Sequence, residues 1–85
     1  MEIHQQVAIV TGAAKGIGAS ISRALAAAGA RVVCADIDGE AAGNIAKELG
    51  GDCMPLTVDV GDVNAIETML DQTMEQFGQL NTIVN

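Results

Sequence analysis

The sequence predicts an α/β fold in which a parallel sheet of strand order 3-2-1-4 carries helices on both faces. Short, nearly continuous apolar runs alternate strictly with segments whose apolar residues recur at helical spacing. Strands that are apolar on both faces are typical of a parallel sheet covered by helices. Right-handed crossovers then give the order 3-2-1-4, with a crevice between strands one and four. The first two helices are expected on one face and the third on the other.

The first strand and helix frame a glycine-rich bend. The strand is predicted over residues 6–11, and the helix over residues 16–28. Gly29 can supply the left-handed conformation in which many helices end. The helical spacing in this segment is carried by Ile21, Ala24, Leu25 and Ala28.

The second strand is predicted over residues 31–36, and Asp38 is expected to cap a second helix that ends at the glycines of residues 50–51. A third strand follows over residues 53–58. Pro55 within it has no N–H to give to a sheet, so this strand is expected at an edge. The apolar face of the second helix is predicted to contain Ala41, Ala42, Ile45 and Leu49.

The third helix is predicted to begin after a cap at Gly61 or Asp62 and to end at Gly78, before a fourth strand over residues 80–85. Its core-facing stripe is predicted to be Val63, Ile66, Leu70, Met74 and Phe77. The fourth strand would lack an outer neighbour, and an unpaired apolar edge invites pairing with another chain. We therefore expect the isolated chain to self-associate or to be partly unfolded.

Length and composition allow one small domain of 85 residues, built without large rings except Phe77. The net charge of −7 and only four dispersed Lys and Arg residues argue against a nucleic-acid surface. The first residues do not form a signal peptide, and no apolar run approaches the ~20 residues of a membrane span. A cytoplasmic location without membrane contact is expected.

The two cysteines are expected to be small buried hydrophobes. If Arg31 and Cys53 begin neighbouring strands, Cys34 lies about 10 Å further along, at ~3.3 Å per residue. That separation exceeds the ~7 Å limit between the Cα atoms of a disulfide. Two cysteines also make no zinc site, so no metal is expected.

The glycine-rich bend is the strongest functional signal. It lies between a buried strand and a helix, where unpaired N–H groups can hold a phosphate diester. Gly12 allows the tight turn, Gly16 lets a pyrophosphate approach the backbone, and Gly18 permits close packing. Asp36 ends the second strand, about 20 residues past the glycines, where a carboxylate can bind a ribose hydroxyl. The sequence therefore predicts a dinucleotide site.

The glycine spacing separates this site from other nucleotide sites. A P-loop has the pattern G-x-x-x-x-G-K-[S/T], whereas here Lys15 precedes Gly16 and Ser20 comes too late. The spacing G-x-G-x-x-G is also absent, because the glycines follow G-x-x-x-G-x-G. That pattern, with Thr11 before it, resembles the short-chain dehydrogenase/reductase family.

Three further segments resemble this family. Asp59-Val60 resembles its adenine-contacting pair, and Ile83-Val84-Asn85 resembles the start of its Asn-Asn-Ala-Gly motif. Residues 25–30 resemble the usual end of its first helix. The resemblance covers essentially the whole chain. It implies a partial Rossmann fold, truncated after strand four, with residues 1–85 as the N-terminal part of a single dinucleotide-binding domain. The candidate cofactor-binding residues are Gly12, Ala14, Lys15, Gly16, Ile17, Gly18, Asp36, Ile37, Asp59, Val60 and Asn85.

The family's chemistry relies on a Ser and a Tyr-x-x-x-Lys pair, but this chain has no Tyr and stops before those elements. Acid–base catalysis needs a titratable group beside the reacting alcohol or carbonyl. Asp36, Asp59 and Lys15 are assigned to the ribose, the adenine and the phosphate loop, and His4 is expected to be solvated at the opposite end of the sheet. No catalytic residue is assigned, and the chain alone is predicted to be inactive.

The resemblance and the acid at Asp36 indicate NAD(H). Asp36 can accept hydrogen bonds from both ribose hydroxyls and would repel a 2′-phosphate, and Ile37 offers no compensating charge. Lys15 lies where NADP-dependent members often carry a base, so it is the competing signal. We expect NAD(H) to be preferred over NADP(H).

Two functional classes remain open. The first is the NAD(H)-binding N-terminal portion of an oxidoreductase that carries out alcohol–ketone hydride transfer on a small-molecule substrate. The second is a free-standing nucleotide-binding or interaction module without catalysis. A methyltransferase-like fold that binds S-adenosylmethionine is a distant third, because its glycine and acid placement overlaps partly with this pattern.

Overall fold

A computed structural model describes residues 5–85, and the prediction made for His4 concerns a residue outside that range. Strands and helices alternate as the sequence predicts. In chain order they are β1 (Val7–Thr11), α1 (Gly16–Ala27), β2 (Arg31–Asp36), α2 (Gly39–Leu49), β3 (Met54–Thr57), α3 (Val63–Phe77) and β4 (Thr82–Val84). None of the helices described is long and apolar enough to cross a bilayer.

The four strands form one parallel sheet of order β3-β2-β1-β4, which confirms the predicted topology. Pro55 lies on edge strand β3, opposite Cys34 of β2. β4 is shorter than the sequence predicts because Asn81, just before it, has a different role. The Oδ1 atom of Asn81 accepts a hydrogen bond from the backbone N–H of Val7 at 2.8 Å, and its own N–H donates to the Val7 carbonyl at 2.9 Å.

The sheet separates two apolar clusters. One face of β1 and β2 packs against α1 and α2, and the other packs against α3, as predicted. The buried members of the α1–α2 cluster are Val10, Ala13, Ala19, Ala30, Val32, Cys34, Ile45 and Ala46. The buried members of the α3 cluster are Val7, Ile9, Val33, Ala35, Val58 and Met69.

The predicted inner face of α3 is wrong at two positions. Val63 and Met74 are 69% and 48% exposed, whereas Met69 and Thr73 are buried. The hydroxyl of Thr73 donates to the Met69 carbonyl at 2.8 Å, which satisfies this buried group inside the helix. Apolar spacing correctly identified Ile66, Leu70 and Phe77, which pack against the α3 cluster, but it gives no weight to a threonine that can bury its own hydroxyl.

The inner face of α1 agrees only in part with its apolar spacing, because Ile21 and Leu25 pack against the core as predicted but the other two predicted residues do not. Ala19 and Ser22 are buried, while Ala24 and Ala28 are exposed. The hydroxyl of Ser22 donates to the Gly18 carbonyl at 2.9 Å. A buried serine is again compatible with close packing because its hydrogen bond stays within the helix.

The helix ends follow the predicted caps, and the structure selects Asp62 over Gly61 for α3. The Asp62 carboxylate accepts hydrogen bonds from the N–H groups of Asn64 and Ala65, and that of Asp38 accepts one from Ala41 at the start of α2. Gly78 ends α3 with a left-handed φ of 73°.

The amino end of the sheet is tied together by Arg31. Its Nη2 donates to the Gln5 carbonyl at 2.8 Å, and its guanidinium lies 5.2 Å from the centroid of the Phe77 ring. Gln79 donates to the same Gln5 carbonyl at 3.1 Å. The start of β1, the start of β2 and the end of α3 are therefore held together by hydrogen bonds and a cation–π contact.

The cysteine register differs by one residue from the sequence estimate. β2 and β3 pair with Val33 opposite Met54, which sets Cys53 opposite Val32 rather than Arg31. The two Cα atoms are then about 8 Å apart by strand geometry, still beyond disulfide reach. Both thiols are free, and burial, together with the nearby Cys53, raises the pKa of Cys34 to about 12.

Candidate functional site at the carboxyl ends of β1 and β2

The glycine turn follows β1 and leads directly into α1. Gly12 and Gly16 have left-handed φ angles of 63° and 55°, which a side chain would strain. A Cβ atom at Gly18 would overlap the carbonyl oxygen of Gly12, so this glycine allows α1 to lie against the turn. The predicted roles of Gly12 and Gly18 as turn and packing glycines therefore match the local geometry.

The amino terminus of α1 differs from those of the other two helices in residues 5–85. Lys15 occupies the cap position with extended dihedrals, and its side chain does not cap the helix, whereas α2 and α3 have aspartate caps. The first turn of α1 contains no acidic residue. A Cβ built on Gly16 meets no atom within 4 Å, so there is open space beside the backbone. The helix start is suited to an anion because its N–H groups and dipole favour negative charge.

Asp36 is joined to the glycine turn by hydrogen bonds. Its Oδ2 accepts from the backbone N–H of Ala14 at 3.1 Å, and its Oδ1 accepts from the N–H of Asp38 at 3.0 Å. An ionised carboxylate has about four acceptor positions, so both oxygens can accept further bonds. Asp36 therefore stabilises the glycine turn and is at the same time a candidate residue for binding a ligand.

The loop after β3 reaches the same edge of the sheet. The N–H of Val58 donates to the Asp36 carbonyl at 3.0 Å, which brings the following pair, Asp59 and Val60, beside the end of β2. The Oδ1 of Asp59 accepts from Gly61 at 2.9 Å and so stabilises the loop. Val60 is 55% exposed, which leaves an apolar side chain free at this edge.

Asn85 lies next to Thr11, across the point where the strand order reverses. The Thr11 hydroxyl donates to the Val84 carbonyl and lies 3.2 Å from the Asn85 Oδ1 as well. These residues border a mostly apolar groove of about 640 Å³. Its lining consists of Thr11, Val60, Ile66, Met69, Leu70, Ile83 and Asn85.

The ammonium of Lys15 lies close to Asp38, with its Nζ 3.9 Å from Asp38 Oδ2. Ile17 and Ile37, at the start of α1 and just after β2, are 79% and 69% exposed. Exposed isoleucines on either side of an acidic pair give the site both apolar and charged surface. No cluster of three potential metal ligands occurs among the residues described.

The structure brings most of the sequence-predicted residues to one edge of the sheet. The glycine turn, Asp36 and Ile37 meet around the ends of β1 and β2, with Asp59 and Val60 alongside and Asn85 across the crevice. Sequence reasoning assigned no site role to Thr11 or Asp38. Both carried a signal, because Thr11 ends the strand before the glycines and Asp38 follows Asp36 by one intervening residue.

The strand order, the glycine turn and the acid at the end of β2 define a Rossmann-type α/β fold. A family model described as short chain dehydrogenase matches residues 6–85. The chain belongs to the short chain dehydrogenase family.

Its relatives are considerably longer. The chain is 39% identical to 1-deoxy-11-beta-hydroxypentalenate dehydrogenase of Streptomyces exfoliatus, with all of this chain and 32% of the relative covered. It is 38% identical to galactitol 2-dehydrogenase of Agrobacterium fabrum, with 100% and 33% covered. The chain therefore spans about a third of the length of the curated relatives that it matches.

Solved structures show the same fold. A short chain dehydrogenase/reductase from Burkholderia phymatum in complex with NAD superposes with a TM-score of 0.93 at 27% identity, with 98% of this chain and 31% of that chain covered. A 7α-hydroxysteroid dehydrogenase complexed with NADH and 7-oxo glycochenodeoxycholic acid has a TM-score of 0.93 at 32% identity, over 99% and 34% of the two chains.

Proposed function

We propose that this chain is the NAD(H)-binding N-terminal portion of a short chain dehydrogenase, and that residues 1–85 begin a single dinucleotide-binding domain. The observation that carries the proposal is the hydrogen bond between Ala14 and Asp36. It joins an open glycine turn, an uncapped helix start and an acidic strand end into one site. Relatives with NAD or NADH in their solved structures support the same cofactor.

The residues fit the parts of the dinucleotide. The N–H groups of the turn from Gly12 to Gly18 would bind the diphosphate, because the first turn of α1 lacks a side-chain cap. Asp36 would accept hydrogen bonds from the ribose hydroxyls. Ile37 and the pair Asp59 and Val60 would lie beside the adenine, and Asn85 would border the crevice on the β4 side. The remaining assigned contacts are Ala14, Lys15 and Ile17.

The bound nicotinamide would accept or supply a hydride, which suits alcohol–ketone exchange on a small molecule. The dehydrogenase relatives support this class of reaction for the complete protein. Residues 1–85 would supply the cofactor site and none of the acid–base groups, so this chain alone would be inactive. A free-standing binding module would instead bind the cofactor, and it would not belong to a longer protein that carries out the chemistry.

Substitution of Asp36 tests the cofactor proposal in the full-length protein. Asp36→Ala should weaken NADH binding about 10- to 100-fold, because a hydrogen bond to a charged group is worth roughly 1.5–3 kcal/mol. Asp36→Asn keeps one carbonyl acceptor and should lose less. Calorimetric titration measures both, and Asp52→Asn, at the other end of the sheet, is the control with an equal charge change.

Three results would contradict this assignment. Unchanged NADH affinity in Asp36→Ala would remove Asp36 from the site. Stabilisation of the wild type against heat by S-adenosylmethionine, and not by NAD, would indicate the methyltransferase-like alternative. A global loss of structure in Asp36→Ala would show that its bonds to Ala14 and Asp38 are its main role.

We also propose that the isolated 85-residue chain self-associates through the outer edge of β4. Val84 pairs with β1 on one side, while Ile83 is 47% exposed on the same short strand. An open apolar edge favours pairing with another copy. Size-exclusion chromatography should show oligomers, and a sharp monomer peak with well-dispersed amide signals would contradict this. The full-length protein is expected to be cytoplasmic, with no nucleic-acid or membrane partner.

A further inference from the structure

Lys15 and Asp38 connect the two sides of the candidate site. The Lys15 ammonium extends from the glycine turn and lies 3.9 Å from Asp38 Oδ2 at the start of α2. Both side chains are largely exposed, at 77% and 45%. An exposed pair of this kind contributes little to stability. Its main consequence is the position that it gives to the Lys15 ammonium.

Asp38 makes two further contacts that fix its position. Its Oδ1 accepts from the N–H of Ala41, which caps α2, and its own N–H donates to Oδ1 of Asp36. The same residue therefore caps a helix, orients the acid at the end of β2 and attracts Lys15. Its side chain is held by the cap rather than free to move away with the lysine.

The other three basic residues of the chain lie elsewhere. Arg23 forms a two-fold hydrogen bond with Glu48 between α1 and α2, and Arg31 lies at the amino end of the sheet. Lys47 is in the last turn of α2. Lys15 is thus the nearest cation available to a phosphate on the ribose that Asp36 is proposed to bind.

We propose that Asp38 is a specificity-determining residue, which rests on the proposed cofactor site. By holding the Lys15 ammonium, Asp38 occupies the basic side chain that, within residues 5–85, could compensate a 2′-phosphate. The local charges of Asp36, Asp38 and Lys15 add up to −1, and an NADP 2′-phosphate would add further negative charge. Rejection of NADP therefore comes from a pair of acids and an occupied lysine, and Asp36 is only one part of it.

Asp38→Asn is the discriminating variant. Asparagine caps helices about as well as aspartate, and the backbone N–H that binds Asp36 is unchanged, so α2 and Asp36 should keep their positions. The charge that holds Lys15 is lost. We expect the ratio of NADP to NAD affinity in the full-length protein to rise about two- to fivefold at low salt, and less at high salt, because an exposed ion pair is weak and is screened by ions.

A second substitution separates release of Lys15 from simple removal of negative charge. In a Lys15→Gln background, Asp38→Asn should raise the affinity ratio much less, because no lysine is left to be released. Asp52→Asn removes the same charge at the far end of the sheet, where the loop precedes β3, and should leave the ratio unchanged. Calorimetric titrations of NAD and NADP at two salt concentrations provide all the values.

The outcomes distinguish this inference from the function on which it rests. An equal effect of Asp38→Asn with and without Lys15 would refute the holding of Lys15, while normal NAD binding would leave the cofactor assignment intact. An unchanged ratio in Asp38→Asn would remove Asp38 as a specificity residue. Failure of the wild type to bind either dinucleotide would overturn both proposals together.

Discussion

The two helical layers of this molecule differ in how completely they cover the sheet. On one face α1 and α2 lie side by side, share a cluster of buried alanines with β1 and β2, and are linked by Arg23 and Glu48. On the other face α3 is the one helix in residues 5–85, and the apolar groove beside it remains open. Val63 and Met74 of α3 are exposed.

The difference shows that the α1–α2 layer completes its own apolar core, whereas the α3 layer does not. The α1–α2 layer buries its apolar residues with small side chains at close range, so each position is sensitive to volume. The α3 layer leaves apolar surface open in the groove next to β4. We expect the two faces to respond differently to the same substitution.

The largest single loss of stability should come from truncating a buried isoleucine, compared with a second isoleucine on the other face of the 85-residue chain. Ile45 of α2 is buried, and Ile45→Ala should cost about 3–4 kcal/mol because it leaves a cavity. Ile66 of α3 borders the open groove, and Ile66→Ala should cost about 1–2 kcal/mol. Urea unfolding followed by circular dichroism measures both, at a protein concentration low enough that the chain is monomeric. Equal losses would mean that the two faces are equally closed.

A pair of glycines provides the next test, which concerns only the face covered by α1 and α2, the closed face. Gly18→Ala should cost about 2–3 kcal/mol, because its new methyl group would overlap the Gly12 carbonyl and push α1 away from the turn. Gly43→Ala, within α2, meets no atom within 4 Å and should stabilise the chain by about 0.5–1 kcal/mol. An unchanged free energy of unfolding in Gly18→Ala would show that α1 is not packed tightly against the glycine turn. The α1–α2 face would then not be the more closely packed of the two.

A smaller effect is expected from alkaline pH, through Cys34 on the closed face. Burial raises the pKa of this thiol to about 12 from an ordinary value near 9. A raised pKa in the folded state contributes stability below the unfolded pKa, and this contribution is lost as the pH rises from about 9 toward 12. Stability should fall by up to about 1.4 kcal/mol per pH unit there.

The pH prediction has matched controls within the chain. Cys34→Ala should remove the alkaline slope, while Cys53→Ser, at the half-buried thiol, should leave most of it. The chain contains no tyrosine, which simplifies the interpretation of its alkaline titration. An equal slope in wild type and Cys34→Ala, measured by urea midpoints at pH 8 and pH 10, would contradict the prediction.

The smallest effect concerns the exposed link between α1 and α2. Arg23 contacts Glu48 at 2.6 Å and 3.1 Å, and its hydrogen bond lowers the pKa of the Glu48 carboxyl. A lowered pKa gives stability above the unfolded pKa, which is lost as the pH falls through the folded value. Glu48→Gln should therefore lower the urea midpoint slightly at pH 7 and not at pH 3.

Glu75→Gln on exposed α3 is the control for this pair, because it removes the same charge on the other face. Its urea midpoint should change no more at pH 7 than at pH 3. A pH-dependent loss as large as that of Glu48→Gln would show that general charge removal, and not the Arg23 contact, is responsible.

The sequence predicted the topology well because its signals are local and chemically specific. Pro55 marked the edge strand, Asp38 and Asp62 are effective caps, and the glycines of the turn have the conformations for which glycine is needed. These features depend on one residue and its immediate neighbours. Strand order followed from them because crossovers have a preferred hand.

The remaining features depend on contacts between distant residues. The inner face of α3 was misassigned at Val63 and Met74 because spacing alone does not say which side meets the sheet. The contact of Arg31 with Phe77 and the bond between Ala14 and Asp36 join residues far apart in the chain. No local pattern predicts such pairs, although the sequence correctly placed Asp36 at the end of β2.

Under the proposed function, the position of Asp36 would affect the kinetics of cofactor exchange. Two backbone N–H groups, from Ala14 and Asp38, already fix its carboxylate through hydrogen bonds within the chain. A ribose would therefore meet a side chain whose rotamer is already set, which avoids an entropic cost of about 0.5–1.5 kcal/mol for ordering it on association. Removing either hydrogen bond to the Asp36 carboxylate should therefore raise the dissociation rate of the nucleotide more than it lowers the association rate.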